Sequence, residues 1–263
     1  MKVAMQASEQ RDQRRLKWTI RLVSLVVVLV IWQWWGSRPG MFAIAPPSKV
    51  VPQLAEVLGS GELLSAAVGT FIELTLGYLL AVLVGVGIGA LLGLSTWAYH
   101  TLEPLVTALY AAPMIALLPI IGIYLGFDLS ARIFVVFSWS VFVVTVNTMT
   151  GINAVPTQLV DMARSYNASR RQIVRAIILP AALPNILTGL RLALGQAIRG
   201  AITAEFLLSM SNLGKFIFNA SSTFNMPRMF AGIIFVTVLG ALLLALAERV
   251  ERRILNHDFH QSV

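Results

Sequence analysis

Residues 18–35 carry one charge, Arg21, in a run otherwise rich in Val, Leu, Ile and Trp; further apolar stretches follow at 63–94, 102–125, 132–152, 183–208 and 229–246. A helix rising about 1.5 Å per residue needs roughly 20 such residues to cross a hydrocarbon core about 30 Å thick. Only helices and closed barrels satisfy every backbone polar group in lipid, and runs this long read as helices. The fold class is therefore all-α integral membrane, with six transmembrane helices. A chain that is 57% hydrophobic and 12% charged does not suit a soluble domain. Trp18 at one end of the first run, and Trp32, Trp34 and Trp35 at the other, sit where an aromatic belt would. Ala43 to Ala45 mimics a signal-peptide cleavage site. The run is longer than the roughly 7–15 residues of a signal core, however, so it reads as an uncleaved first span.

The stretches between these runs supply the organisation. Residues 1–17 form a basic tail, and 37–62, with Pro46, Pro47 and Pro52, read as a loop on the far side. Gly85, Gly89 and Gly93 recur at four-residue spacing, a pattern for close helix packing. Pro113 and Pro119 predict a kink or break in the third span, and either a structural bend or a pathway lining explains them. Residues 127–131 form a tight turn, and 209–228 a loop that carries Asn212-Leu213-Gly214 and a short interfacial helix. Trp139 reads as packing.

Several functions are excluded by what the chain lacks. No G-x-x-x-x-G-K-[ST] occurs, since Gly214-Lys215 has neither the earlier Gly nor the following hydroxyl residue, so the chain holds no ATP site of its own. His100, His257 and His260 are the only histidines and lie at or beyond span ends. A serine protease dyad, an H-E-x-x-H zinc site or paired haem ligands would need histidines at bilayer depth. There are no cysteines, and the +8 net charge forms no basic stripe with interleaved aromatics, which argues against nucleic acid. No span carries a regular Arg series and no T-V-G-Y-G filter is present, so a voltage-gated channel fits poorly.

One long polar segment interrupts this pattern: DMARSYNASRRQIVRAIILP, Asp161 to Pro180. Pro156 favours a first helical position, and a helix from there to Tyr166 ends at Asn167, which tolerates the left-handed conformation. Ser169 and Gln172 form a capping box for a second helix, expected to stop at Pro180. The product is a helix-turn-helix elbow. It resembles the cytoplasmic "EAA" loop of ABC importer permeases, whose pattern is E-A-A, a Gly four residues on, then I-x-L-P. Asp161, Met162 and Ala163 stand at E-A-A, Asn167 at the Gly, and Ile177 to Pro180 close the motif. Residues 181–208, 113–127 and 225–236 are similar to the nitrate/sulfonate/taurine-type branch, and the likeness spans roughly 64–253.

That resemblance implies a type I ABC importer permease (MetI-like) fold with cytoplasmic coupling helices. It divides the chain into a tail (1–17), a first helix with a periplasmic loop (18–62), a permease domain of five helices (63–253) and a second tail (254–263). It implies a second permease subunit, taken as another copy of this chain, two cytoplasmic ATPases that bind ATP and Mg, and an extracytoplasmic solute-binding protein. No cofactor belongs to the chain itself. The solute is expected to be a small organic or inorganic anion such as a sulfonate or nitrate; aromatic or pyrimidine-like solutes stay open. Asp161, Met162, Ala163, Arg164, Asn167, Ser169 and Pro180 are the expected ATPase-coupling residues.

Six spans put both tails and the elbow on one side. That side holds Lys2, Arg11, Arg14, Arg15, Lys17, Arg21, Arg164, Arg170, Arg171, Arg175, Arg249, Arg252 and Arg253, against Arg38, Lys49, Arg132, Lys215 and Arg228 opposite. The positive-inside rule makes the elbow side cytoplasmic, and the resemblance implies a bacterial inner membrane.

Glu73, Arg191, Arg199 and Glu205 fall within spans, where charge is a functional signal. On a helix Arg191 and Arg199 lie within roughly 80° of each other, so one broad face can border an anion pathway. Alternatively Arg191 ties its span to the elbow or a neighbouring helix, and Arg199 snorkels outward. A secondary transporter driven by an ion gradient is the competing class, with Glu73 and Glu205 as its ion sites; a passive scaffold or receptor is a third.

Overall fold

A computed structural model describes residues 2–38 and 43–259, with side chains placed for 18–38 and 43–255. The basic residues of the first tail, His257 and His260 lie outside the described side chains. The helices are α1 (Lys2–Gly36), α2 (Pro47–Gly59), α3 (Glu62–Leu94), α4 (Thr96–Tyr110), α5 (Met114–Leu125) and α6 (Leu129–Asn153). After the elbow helices α7 (Thr157–Ser165) and α8 (Arg170–Ile173) come α9 (Leu179–Ala204), α10 (Asn212–Ser222) and α11 (Met226–Phe259). No strand occurs among the described residues. Five helical stretches are long and apolar enough to cross a membrane; α4 and α5, bent by 93° to each other, make a sixth if counted as one span.

The bundle is built around α6, with α3 on one side and α9 on the other. Lipid offers no hydrophobic drive between helices, so small residues that let backbones approach decide which faces meet. On α3, Gly85, Gly89 and Gly93 fill that role. A Cβ at Gly85 would lie 2.7 Å from Val144 Cβ, one at Gly89 2.6 Å from the Thr145 carbonyl oxygen, and one at Gly93 2.7 Å from Ile152 Cβ. On α9, Ala193, Ala197 and Ala201 are fully buried, and Gly200 receives the Trp139 ring of α6. Polar bonds add to this packing: Tyr78 Oη donates to the Leu190 carbonyl at 3.0 Å, and Ser140 Oγ to that of Ala193 at 3.2 Å.

Two local expectations change and a third narrows. The loop at 37–62 contains α2, because Pro47 occupies the first helical turn, where a missing N–H costs nothing, and Val50, Leu54 and Val57 line one face. Of the kink or break expected in the third span, the structure shows the break, at Ala111–Pro113, where Pro113 caps a separate helix. Pro180 does not end the second elbow helix. From Arg170 the chain stays helical through a π-helical turn, Val174–Ile178, into α9. The Leu179 N–H reaches back to the Val174 carbonyl, and this wider turn accommodates a proline ring that would clash with a regular α turn.

Candidate functional site: the elbow and the polar groups within the bundle

Two caps define the elbow. Past the end of α7, Asn167 takes φ +55°. The Ala168 N–H donates to the Ala163 carbonyl at 3.1 Å and the Asn167 N–H to that of Arg164 at 2.9 Å, the paired bonds of a Schellman ending. Ser169 then accepts from the Gln172 N–H while Gln172 Oε1 accepts from the Ser169 N–H at 2.7 Å, a closed capping box. With Asn167 and Ala168 the only residues between these caps, the angle between α7 and α8 has little freedom. Pro156 stands one residue outside α7, with Thr157 first in the helix. Arg170 Nη2 donates to the Leu94 carbonyl at 3.0 Å, fastening the elbow to the end of α3.

No residue of α7 is buried. Asp161 and Arg164 pair at 3.4 Å in the open, which contributes little to stability. Beside them Leu159, Met162 and Tyr166 are exposed, Tyr166 to 81%. Their spacing of three and four residues puts an exposed apolar stripe along α7 and its C-terminal cap. Reasoning on charge alone passes over Leu159 and Tyr166; the amphipathic period is the signal that finds them.

The polar groups within the spans fall into separate clusters. At the end of the bundle away from the elbow, Arg132 Nε donates to the fully buried Glu73 carboxylate at 2.5 Å. Glu205, also fully buried, accepts from Thr70 Oγ1 at 2.6 Å and from the Gly214 N–H at 2.9 Å. It thereby caps α10 from outside that helix's own sequence, and it lies against Glu73. Asn212-Leu213-Gly214 is thus the docking end of α10; a Cβ at Gly214 would come within 2.4 Å of Glu205 Cβ.

Nearer the elbow, Arg191 Nε lies 3.1 Å from Glu251 Oε2 on α11, and Thr188 Oγ1 donates to the other carboxylate oxygen at 3.0 Å. Arg199 is exposed, and its one polar contact among the described residues is Gln196 Oε1 at 3.5 Å. The two arginines therefore share no partner. Pro113 lies at the α4–α5 bend, on a cavity of about 280 Å3 that Trp139 and Gln196 also line.

Glu73 and Glu205 both tie helices together, and a single Glu73 oxygen, Oε1, is left without a partner, which leaves the ion-gradient reading little carboxylate to work with. Comparisons with known proteins point the same way. Residues 77–256 match the family described as binding-protein-dependent transport system inner membrane component. A putative aliphatic sulfonates transport permease protein, SsuC, of Bacillus subtilis is 34% identical over 92% of this chain and 89% of its own length. The nitrate import permease protein NrtB of Leptolyngbya laminosa is 30% identical over 88% of this chain and 86% of its own. In fold, the chain matches a structure of the inward-facing MetNI methionine ABC transporter with a TM-score of 0.65 at 19% identity, covering 73% of this chain and 96% of that one. The chain belongs to the binding-protein-dependent inner membrane component family and is an ABC importer permease subunit, a multi-pass membrane protein of MetI-like fold.

Proposed function

We propose that two copies of this chain form the membrane pore of an importer for a small anion, with α7 of each copy seated in a groove of a cytoplasmic ATPase. The observation that carries this reading is the elbow: an exposed apolar stripe on α7, a turn fixed by two caps, and a helix continuous from Arg170 to Ser209 behind it. ATP and Mg are bound by the ATPases. Their closure moves α7, and the capped turn passes that motion to α9 as a rigid-body rotation. Met162 is a central contact, flanked by Asp161, Ala163 and Arg164. Asn167 and Ser169 set the angle, and Pro180 lies just past the π turn. The excess of Lys and Arg at this end favours a cytoplasmic elbow and cytoplasmic termini, in a bacterial inner membrane.

A solute-binding protein delivers the anion on the opposite side. Relatives named for aliphatic sulfonates and nitrate support an oxyanion as solute. The test is purification with the ATPase, followed by uptake into proteoliposomes carrying the solute-binding protein. A stoichiometric ATPase and uptake that requires ATP are expected. Uptake driven by an ion gradient, with no ATPase bound, would overturn the reading.

A further inference from the structure

We infer that the cavity at the α4–α5 bend is a solute-contact site within the membrane, and that it takes an anion with an organic body rather than a bare inorganic oxyanion. This rests on the proposed transport function and names the substrate class for it.

The bend itself is the first observation. Ala111 and Pro113 are non-helical and exposed. Pro113 shares the cavity wall with Ser138 and Trp139, 9 and 10 residues past Leu129 at the start of α6, or roughly 14 Å into the span at about 1.5 Å per residue. Irregular backbone at that depth persists only where protein covers it or it lines a water-filled cavity, because lipid offers its polar groups no partner. Here a cavity is present.

Its size and lining decide the ligand. A volume of about 280 Å3 is far more than a trigonal oxyanion fills, given that one water takes roughly 30 Å3 in the liquid. Tyr110, Pro113, Ile115 and Trp139 supply aromatic and aliphatic wall, suited to an alkyl or aryl chain. Ser138 and Gln196 add a hydroxyl and an amide. No Asp or Glu lines the space, which disfavours a cation. The positive charge comes from Arg199, one helical turn beyond Gln196, whose Oε1 lies 3.5 Å from the guanidinium; no carboxylate pairs with Arg199 among the described residues. A sulfonate headgroup beside Arg199 and Gln196, with its chain against Trp139, matches this arrangement.

The chain has no cysteine, so Ile115→Cys or Gln196→Cys places a single thiol on the cavity wall. In the assembled, reconstituted complex, each is reacted with 2-sulfonatoethyl methanethiosulfonate, with hexanesulfonate, nitrate or hexylammonium as competitor. Labelling of this chain should slow progressively with hexanesulfonate, as mass action requires of an occupied site, and nitrate and hexylammonium should have little effect. Ser222→Cys, at the exposed end of α10 and outside the spans, should label at the same rate throughout. Equal protection by nitrate would overturn the assignment of an organic body, and labelling unchanged by hexanesulfonate would overturn the site. The complex without substitutions separates the two levels. Absent ATP-driven uptake removes the transport reading; sulfonate uptake with unprotected thiols removes only the cavity assignment. If one substituted chain fails to co-purify with the ATPase, the other carries the same readout.

Discussion

The guanidinium of Arg170 donates to the main-chain oxygen of Leu94, joining the first residue of α8 to the last residue of α3. A cation on the final carbonyls of a helix also meets the negative end of its dipole. The elbow is therefore held at two points, by this bond and by the unbroken run into α9. Removing the bond should let the elbow rotate without carrying the bundle. Arg170→Ala is expected to cost about 1 kcal/mol at this exposed position, and to lower solute moved per ATP hydrolysed roughly fivefold. Simultaneous measurement of uptake and phosphate release gives the ratio, and a ratio equal to wild type would count against the two-point attachment.

Asn167 is the hinge angle itself. Its φ of +55° excludes proline, whose ring locks φ near −65°, and costs a β-branched residue roughly 1–2 kcal/mol. Asn167→Val and Asn167→Pro should leave ATP hydrolysis running but detached from uptake, the proline more severely, whereas Asn167→Gly should transport normally. Tight coupling in the proline variant would remove the elbow from the mechanism.

The elbow was legible in the sequence because its chemistry is local. Asn167, Ser169 and Gln172 act within a few residues of one another, so spacing alone reveals the caps. The spans were legible because the bilayer fixes their length. Contacts between distant residues were not. Nothing near Glu205 in the chain announces that its partners are Thr70 and Gly214, and Arg132, counted as a loop-side charge, turns inward to Glu73. Pro180 reads as a stop in the sequence because a π turn, which tolerates it, has no sequence signature comparable to a cap. In α2 the prolines signalled coil, although Pro47 falls where a helix accepts it.

Gly214 gives a stability prediction with an internal control. A methyl there would lie 2.5 Å from the Phe206 nitrogen as well as against Glu205, so α10 must move and its bond to Glu205 is lost. Overpacking of this kind costs about 1–3 kcal/mol. Gly214→Ala should lower the melting temperature of the detergent-solubilised complex by several degrees. Gly87→Ala, with no atom within 4 Å of the added carbon, should leave it unchanged or raise it slightly. Equal melting of the two variants would show that the close approach at Gly214 is not a constraint.

Arg191 and Glu251 decide whether the arginine in the fifth span serves packing or solute. Glu251 is buried on α11, with Thr188 on one carboxylate oxygen and the Arg191 guanidinium beside the other. Arg191→Ala would strand that carboxylate, a loss of up to about 3 kcal/mol, since Arg191 is partly exposed and water softens the penalty. The single variant should therefore reduce the yield of assembled complex. Exchanging the charges, with Arg191→Glu and Glu251→Arg together, restores an ion pair between α9 and α11. If the pair only ties the helices, the exchange should recover both assembly and uptake. Assembly without uptake would mean that a positive charge is needed on α9 itself, and Arg191 would then belong to the anion pathway together with Arg199.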